Sequence, residues 1–115
     1  MNNTYNRLLN LVVNEGQATG HSPTQTGRRV GRAIADLEKN PDTTPEHLAK
    51  KKVQGRRIAD KTSTRQAQLR VDSHKRAGHS DRDSSYAGSD TYASSRERFG
   101  KNYRAGKKDV TSGFH

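Results

Sequence analysis

The chain has 115 residues, which is enough for at most one small domain, and it carries 22 Lys/Arg against 12 Asp/Glu for a net charge of +10. Leu, Ile, Val and Phe together account for only 16 residues, and this composition is typical of chains that stay largely unfolded unless a partner covers them. Cysteine is absent, which excludes disulfides, thiolate metal sites and thiol catalysis.

Residues 1–44 are predicted to form a helical, hairpin-like N-terminal part. Its first helix follows a cap at Asn3 or Thr4 and ends near Gly16. Its apolar residues recur with the spacing of one helical face, which we expect to dock against a partner. The residues of this face that we assign to docking are Leu8, Leu9 and Val12.

The second helix has the clearest start signal in the chain, with Ser22 as its N-cap and Pro23 in its first turn, and Asn40-Pro41 ends it. Its apolar stripe is likewise expected to dock, through Val30, Ile34 and Leu37. Small residues also recur every fourth position in this helix, at Gly27, Gly31 and Ala35. They either let a second backbone approach closely or merely weaken the helix.

Residues 45–76 are predicted to form one basic helix that starts near Thr43 or Thr44 and extends to about Arg76. The segment holds ten Lys/Arg and three Asp/Glu, so most of the net charge lies here. Such crowding favours phosphate binding over a merely solubilising surface, and no base-reading motif accompanies it. The candidate residues for binding nucleic acid or another polyanion are Lys50, Lys51, Lys52, Arg56, Arg57, Lys61, Arg65, Arg70, Lys75 and Arg76.

Residues 77–115 are rich in Ser, Gly, Asp and Arg and show no helical or strand period of aliphatic residues, so we predict a long extended or disordered C-terminal tail. This segment contains five of the six aromatic residues. Three interpretations stay open for them: anchors in a protein partner, stacking platforms for unpaired bases, or no role. The five are Tyr86, Tyr92, Phe99, Tyr103 and Phe114.

The predicted fold class is therefore mainly α, with two or three short-to-medium helices and the C-terminal tail. None of the common catalytic or phosphate-loop motifs occurs, so we expect neither enzymatic activity nor a small-molecule substrate or cofactor. The four candidate metal ligands His74, His79, Asp81 and Asp83 match no standard zinc spacing, and we expect no metal site. No apolar run reaches the ~18 residues of a membrane span, and the N-terminus does not resemble a signal peptide.

The overall character resembles that of small basic bacteriophage virion and accessory proteins, which combine a short helical part with a low-complexity tail. The stretches that carry this resemblance are TGRRVGRAIADLEKNPDTTPE, KKKVQGRRIADK and RERFGKNYRAGKKDVTSGFH. The resemblance implies a minor structural component of a nucleic-acid-containing assembly, located in a virion or in the host cytoplasm, with nucleic acid and neighbouring proteins as its partners. The alternatives are a free nucleic-acid-binding regulator without sequence preference and a ribosome-associated protein. A membrane-surface role is disfavoured because the basic segment lacks a continuous apolar face.

Overall fold

The computed structural model describes residues 22–112, which form three α-helices without strands. They are α1 (Pro23–Lys39), α2 (Pro45–Arg76) and α3 (Asp81–Thr111). The mainly α fold class is thereby confirmed. The first predicted helix, with Leu8, Leu9 and Val12, lies outside the described residues.

Local capping signals explain where α1 and α2 begin. The Ser22 side chain accepts a hydrogen bond of 3.2 Å from the Gln25 N–H, and Pro23 fits the first turn because its missing N–H would have had no helical partner. Thr44 caps α2 in the same way, by accepting from the His47 N–H at 3.2 Å. The predicted bounds of both helices are confirmed to within a residue or two.

The prediction of an extended or disordered tail over 77–115 is wrong for the described part of that segment, which is the 31-residue helix α3. Gly78, with φ of 90°, allows the chain to turn after α2, and backbone N–H groups at 78 and 79 close the helix end. Ser80 then caps α3 by accepting from the Asp83 N–H at 3.1 Å. Asp81 and Asp83 stabilise the first turn through their charge.

The three helices pack into an elongated bundle with extents of 54 × 24 × 22 Å. α2 and α3 are antiparallel, since Arg56 contacts Arg96 and Asp60 contacts Tyr92. α1 is shorter and packs beside the N-terminal half of α2 and the C-terminal half of α3. We call this three-helix half the proximal end, and the half that contains the turn at residues 77–80 the distal end.

The core lies at the proximal end and uses few large side chains. It contains Val30, Ala33, Ile34, Leu37, Ile58, Ala59 and Phe99, with Leu48 and Tyr103 packed against it. The apolar stripe of α1, which the sequence assigned to docking on a partner, is therefore covered by α2 and α3 of the same chain.

Glycine makes the close packing of α1 on α3 possible. A Cβ on Gly27 would lie 2.5 Å from the carbonyl oxygen of Phe99, and one on Gly31 would collide with the carbonyl oxygen of Tyr103. From the other side, a Cβ on Gly106 would collide with the carbonyl oxygen of Arg28. Of the two interpretations of the glycine spacing, the structure supports close backbone approach.

Among the described residues, no helix contains a stretch that is both long and apolar enough to cross a membrane.

Candidate functional site

The antiparallel arrangement of α2 and α3 concentrates positive charge at the proximal end. In α3, residues 81–95 carry one Arg and three Asp, whereas residues 96–111 carry six Lys/Arg and two acidic residues. The acidic half of α3 therefore lies beside the distal half of α2 and offsets its cations. The basic half of α3 instead lies beside residues 45–61 of α2, which carry six Lys/Arg and two acidic residues.

A groove of about 310 Å³ runs between α2 and α3 at this end, and we call it the cationic groove. Its nine lining residues include four cations and no carboxylate: Lys52 and Arg56 from α2, and Arg96 and Lys107 from α3. The aromatic residues Phe99 and Tyr103 and the small residues Gly55, Ala59 and Gly100 complete the lining. The groove thus combines a positive rim with an apolar and aromatic floor.

Helical spacing and one cross-helix contact position the cations. Lys52 and Arg56 are four residues apart and share one face of α2. Across the groove, the Arg96 guanidinium donates a 3.3 Å hydrogen bond to the backbone carbonyl of Arg56, which holds Arg96 against α2. Both arginines therefore line a groove whose lining contains no carboxylate, an arrangement that an anion would stabilise.

Glu38 of α1 neutralises one end of the groove. Its carboxylate pairs with the ammonium of Lys52 at 3.3 Å and with that of Lys107 at 2.9 Å. Partial burial raises the pKa of Glu38, but the hydrogen bonds and charges of the two lysines outweigh it, and the pKa lies below its ordinary value. Glu38 thus pairs with two of the four groove cations. Arg56 and Arg96 have no acidic partner among the ion pairs of residues 22–112.

A second ion-pair cluster holds α1 to the end of α3. Asp109 accepts hydrogen bonds from the guanidinium groups of Arg28 and Arg32 at 2.8–3.0 Å. These bonds lower the pKa of Asp109, and the bond to Asp109 raises the pKa of Arg28. The cluster fixes the helix that carries Glu38 relative to the groove.

The structure separates the ten predicted polyanion-binding residues into four sets. Lys52 and Arg56 line the cationic groove, and the exposed Lys50, Arg57 and Lys61 form a second stripe, spaced by whole turns, on the solvent side of α2. Lys51 is buried, donates a hydrogen bond of 3.3 Å to the amide oxygen of Gln54 and has a pKa lowered by that burial. The distal cations are Arg65, Arg70, Lys75 and Arg76.

Two cations of the groove, Arg96 and Lys107, were not among the predicted binding residues. The signal that reveals them is the run of six Lys/Arg between residues 96 and 108, interrupted by a single acidic residue. The run was not assigned to polyanion binding because that stretch was assigned to a tail, where its cations would have had no fixed position relative to α2.

The aromatic residues that were candidates for docking on a partner do not share one surface of the bundle. Phe99 is buried in the core, Tyr103 lies half-buried in the groove, and Tyr92 donates a hydrogen bond to Asp60. Tyr86 alone of the described four is largely exposed, at 59%. Phe114 lies outside the described residues.

The four residues considered as metal ligands lie near the turn between α2 and α3. The rings of His74 and His79 lie 4.6 Å apart, and Asp81 and Asp83 belong to the first turn of α3. Over residues 22–112, no group of three or more possible metal ligands comes together.

Comparisons with family models, with curated proteins and with solved structures returned no match. The function proposed below therefore rests on the residues and geometry of this chain.

Proposed function

We propose that this protein binds the phosphate backbone of nucleic acid through the cationic groove and the adjoining cations of α2. The observation that carries the proposal is the convergence of Lys52, Arg56, Arg96 and Lys107 on one concave surface whose lining contains no acidic residue. Binding is its expected activity, and we assign it no enzymatic role.

Electrostatics supplies the affinity. A polynucleotide holds a layer of condensed counterions, and each phosphate that the protein neutralises releases some of them to solution. Arg56 and Arg96 provide planar guanidinium groups that can grip a phosphate with two hydrogen bonds. The stripe of Lys50, Arg57 and Lys61 on the outer side of α2 extends the positive surface beyond the groove.

Sequence preference is not expected. Phosphate contacts position a protein on nucleic acid without reading its bases. The proposed ligand is therefore nucleic acid of any sequence.

We further propose that the protein acts as an accessory component of a nucleic-acid-containing assembly, with a minor bacteriophage virion protein as the first candidate. This placement depends on the compositional resemblance described above. In such a particle the groove would neutralise packaged phosphate, and exposed side chains such as Tyr86 would contact neighbouring subunits.

A free nucleic-acid-binding regulator or ribosome-associated protein is the second candidate. One observation favours it: the apolar stripe of α1 is buried within the chain, so docking of that stripe on a partner is not required. Sedimentation of native extracts separates the candidates. A virion component sediments with nuclease-resistant particles, whereas a free binder moves to small fractions after nuclease treatment.

The binding proposal is tested by titrating a labelled polynucleotide of mixed sequence at several salt concentrations and measuring fluorescence anisotropy. In the groove variant, Lys52, Arg56, Arg96 and Lys107 are all changed to Gln. The matched control removes the same charge at the distal end by changing Arg70, Lys75, Arg76 and Arg82 to Gln. Circular dichroism confirms that both variants remain helical.

The groove variant should reduce the slope of log affinity against log salt by about two to four, because each lost phosphate contact reduces that slope by about one and Glu38 already pairs with Lys52 and Lys107. The distal control should change the slope much less. Equal changes in the two variants, or no salt-dependent binding by the unaltered protein, would contradict the proposal.

A further inference from the structure

We propose that the cationic groove is built for single-stranded nucleic acid, with an unpaired base stacked on the ring of Tyr103 while the surrounding cations hold its phosphates. This inference rests on the proposed function and specifies the form of nucleic acid that the groove accepts. Three properties of the groove lead to it: an aromatic platform, cations placed around that platform and a limited open space.

The first property is the aromatic platform. Tyr103 lines the groove and is half-buried, and its burial raises the pKa of the phenol. The ring is held in place because it packs against the core and because Gly31 fits closely over the Tyr103 backbone. A rigid ring loses little conformational entropy when a base stacks on it.

The second property is the position of charge relative to that ring. The Lys107 ammonium lies over the Tyr103 ring, 5.9 Å from its centre, so a base that stacks on that face would have to displace it, and Arg96 and Arg56 line the same groove. A strand that places its phosphates among these cations brings its bases to the aromatic floor. This pairing of stacking surface and cations is the general arrangement by which proteins hold single strands without sequence preference.

The third property is space. The groove measures about 310 Å³, at the lower end of pockets that hold small molecules. Gly100 carries no side chain there, and a Cβ on Gly100 would meet only the flexible end of Arg104, at 3.6 Å. A duplex keeps its bases stacked inside, and moving one into such a groove costs a few kcal/mol. A single strand avoids this cost.

The test compares a labelled oligothymidylate, an abasic strand of the same length and a duplex hairpin with the same number of phosphates, at one moderate salt concentration. The unaltered protein should bind oligothymidylate at least about tenfold more tightly than the hairpin. It should bind the abasic strand about 5- to 100-fold more weakly than oligothymidylate, since that strand keeps the charges and lacks the stack.

Three tyrosine variants locate the stack. Tyr103→Leu keeps an apolar side chain and removes the ring, so it should bind oligothymidylate about 5- to 100-fold more weakly without a change in salt slope. Tyr103→Phe should retain the affinity. Tyr86→Leu, which removes an exposed ring at the distal end, is the matched control and should also retain it.

Equal affinity for oligothymidylate and the abasic strand would overturn this inference, as would a preference for the hairpin. The comparison of strands needs no substitution, so it decides the question even if Tyr103→Leu fails to fold. Salt-dependent binding that the groove variant weakens would leave the proposed function intact in that event. Absence of binding to all three nucleic acids would instead remove both.

Discussion

Single glycine positions determine how closely α1 and α3 approach each other. At Gly31 the neighbouring atoms belong to the backbone of Tyr103, which cannot move aside as a flexible side chain can. At Gly100 the space is open apart from the end of the Arg104 side chain. Gly31 lies within α1 and Gly100 within α3, so the contrast between a crowded and an open glycine gives a controlled experiment.

Gly31→Ala should lower the free energy of unfolding by about 1–3 kcal/mol, because the new methyl group forces the helices apart. Gly100→Ala should raise it by up to about 1 kcal/mol, since Ala is the better helix former and meets no backbone. Urea denaturation followed by circular dichroism measures both. A neutral or stabilising Gly31→Ala would show that α1 does not pack against α3 at this distance.

Glu38 is the residue that competes with an external anion for the groove. Glu38→Gln frees Lys52 and Lys107, and we expect polynucleotide affinity at low salt to rise about 2- to 10-fold. The gain is this small because the two ion pairs that compete with phosphate are partly exposed and therefore weak. Glu97→Gln removes the same charge from an exposed position outside the groove lining and is the control. An equal gain from both variants would mean that Glu38 acts only through net charge.

At the scale of elements, local signals sufficed to predict α1 and α2. Ser22-Pro23 and Thr44-Pro45 mark helix starts, and Asn40-Pro41 marks an end, because capping depends on a few adjacent residues. Packing partners are a different matter. The stripe of Val30 and Ile34 was assigned to docking on a partner, because the sequence could not show that the covering surface comes from the same chain.

Helix α3 was missed because small residues provide its buried face. Its buried positions recur every eleven residues, which is three helical turns, with Ser84, Ser95 and Gly106 in one series and Gly88, Phe99 and Val110 in the other. Only two of these six are large and apolar, so a search for aliphatic periodicity finds nothing. The α3 cations of the groove, Arg96 and Lys107, were therefore not assigned to binding, whereas Lys52 and Arg56 of α2 were.

The contact between α1 and α3 should depend on pH through Asp109. Its hydrogen bonds with Arg28 and Arg32 hold its folded-state pKa below the ordinary value of 3.8. A lowered folded pKa stabilises the fold above 3.8, and that contribution is lost as the pH falls through the folded value. Glu38 acts in the same direction, with its pKa below 4.5.

We therefore expect the melting temperature to be steady from neutral pH down to about pH 5 and to fall below about pH 4. Asp109→Asn should lower the melting temperature at neutral pH and make the acid decline shallower. Thermal melts at a series of pH values measure this. An Asp109→Asn variant that melts like the unaltered protein at neutral pH would show that the cluster does not stabilise the fold.

For the whole molecule, the fold shows how a chain with this composition can pack and where its charge lies. A chain with so few large apolar residues still forms a bundle over residues 22–112, because glycine and serine let the helices pack closely with little side-chain volume between them. The antiparallel hairpin then offsets charge at the distal end and concentrates it at the proximal end. Composition alone gives the total charge of +10, and only the fold gives its location.

The most direct test of this account is to map the bound nucleic acid on the protein by amide chemical shifts during titration with a short oligothymidylate. We predict that the largest shifts occur at the groove, around Lys52, Arg56, Arg96, Tyr103 and Lys107, and that the distal residues 68–90 change little. Shifts centred on the distal turn, or spread evenly over all three helices, would contradict the claim that the fold gathers its cations into one binding groove.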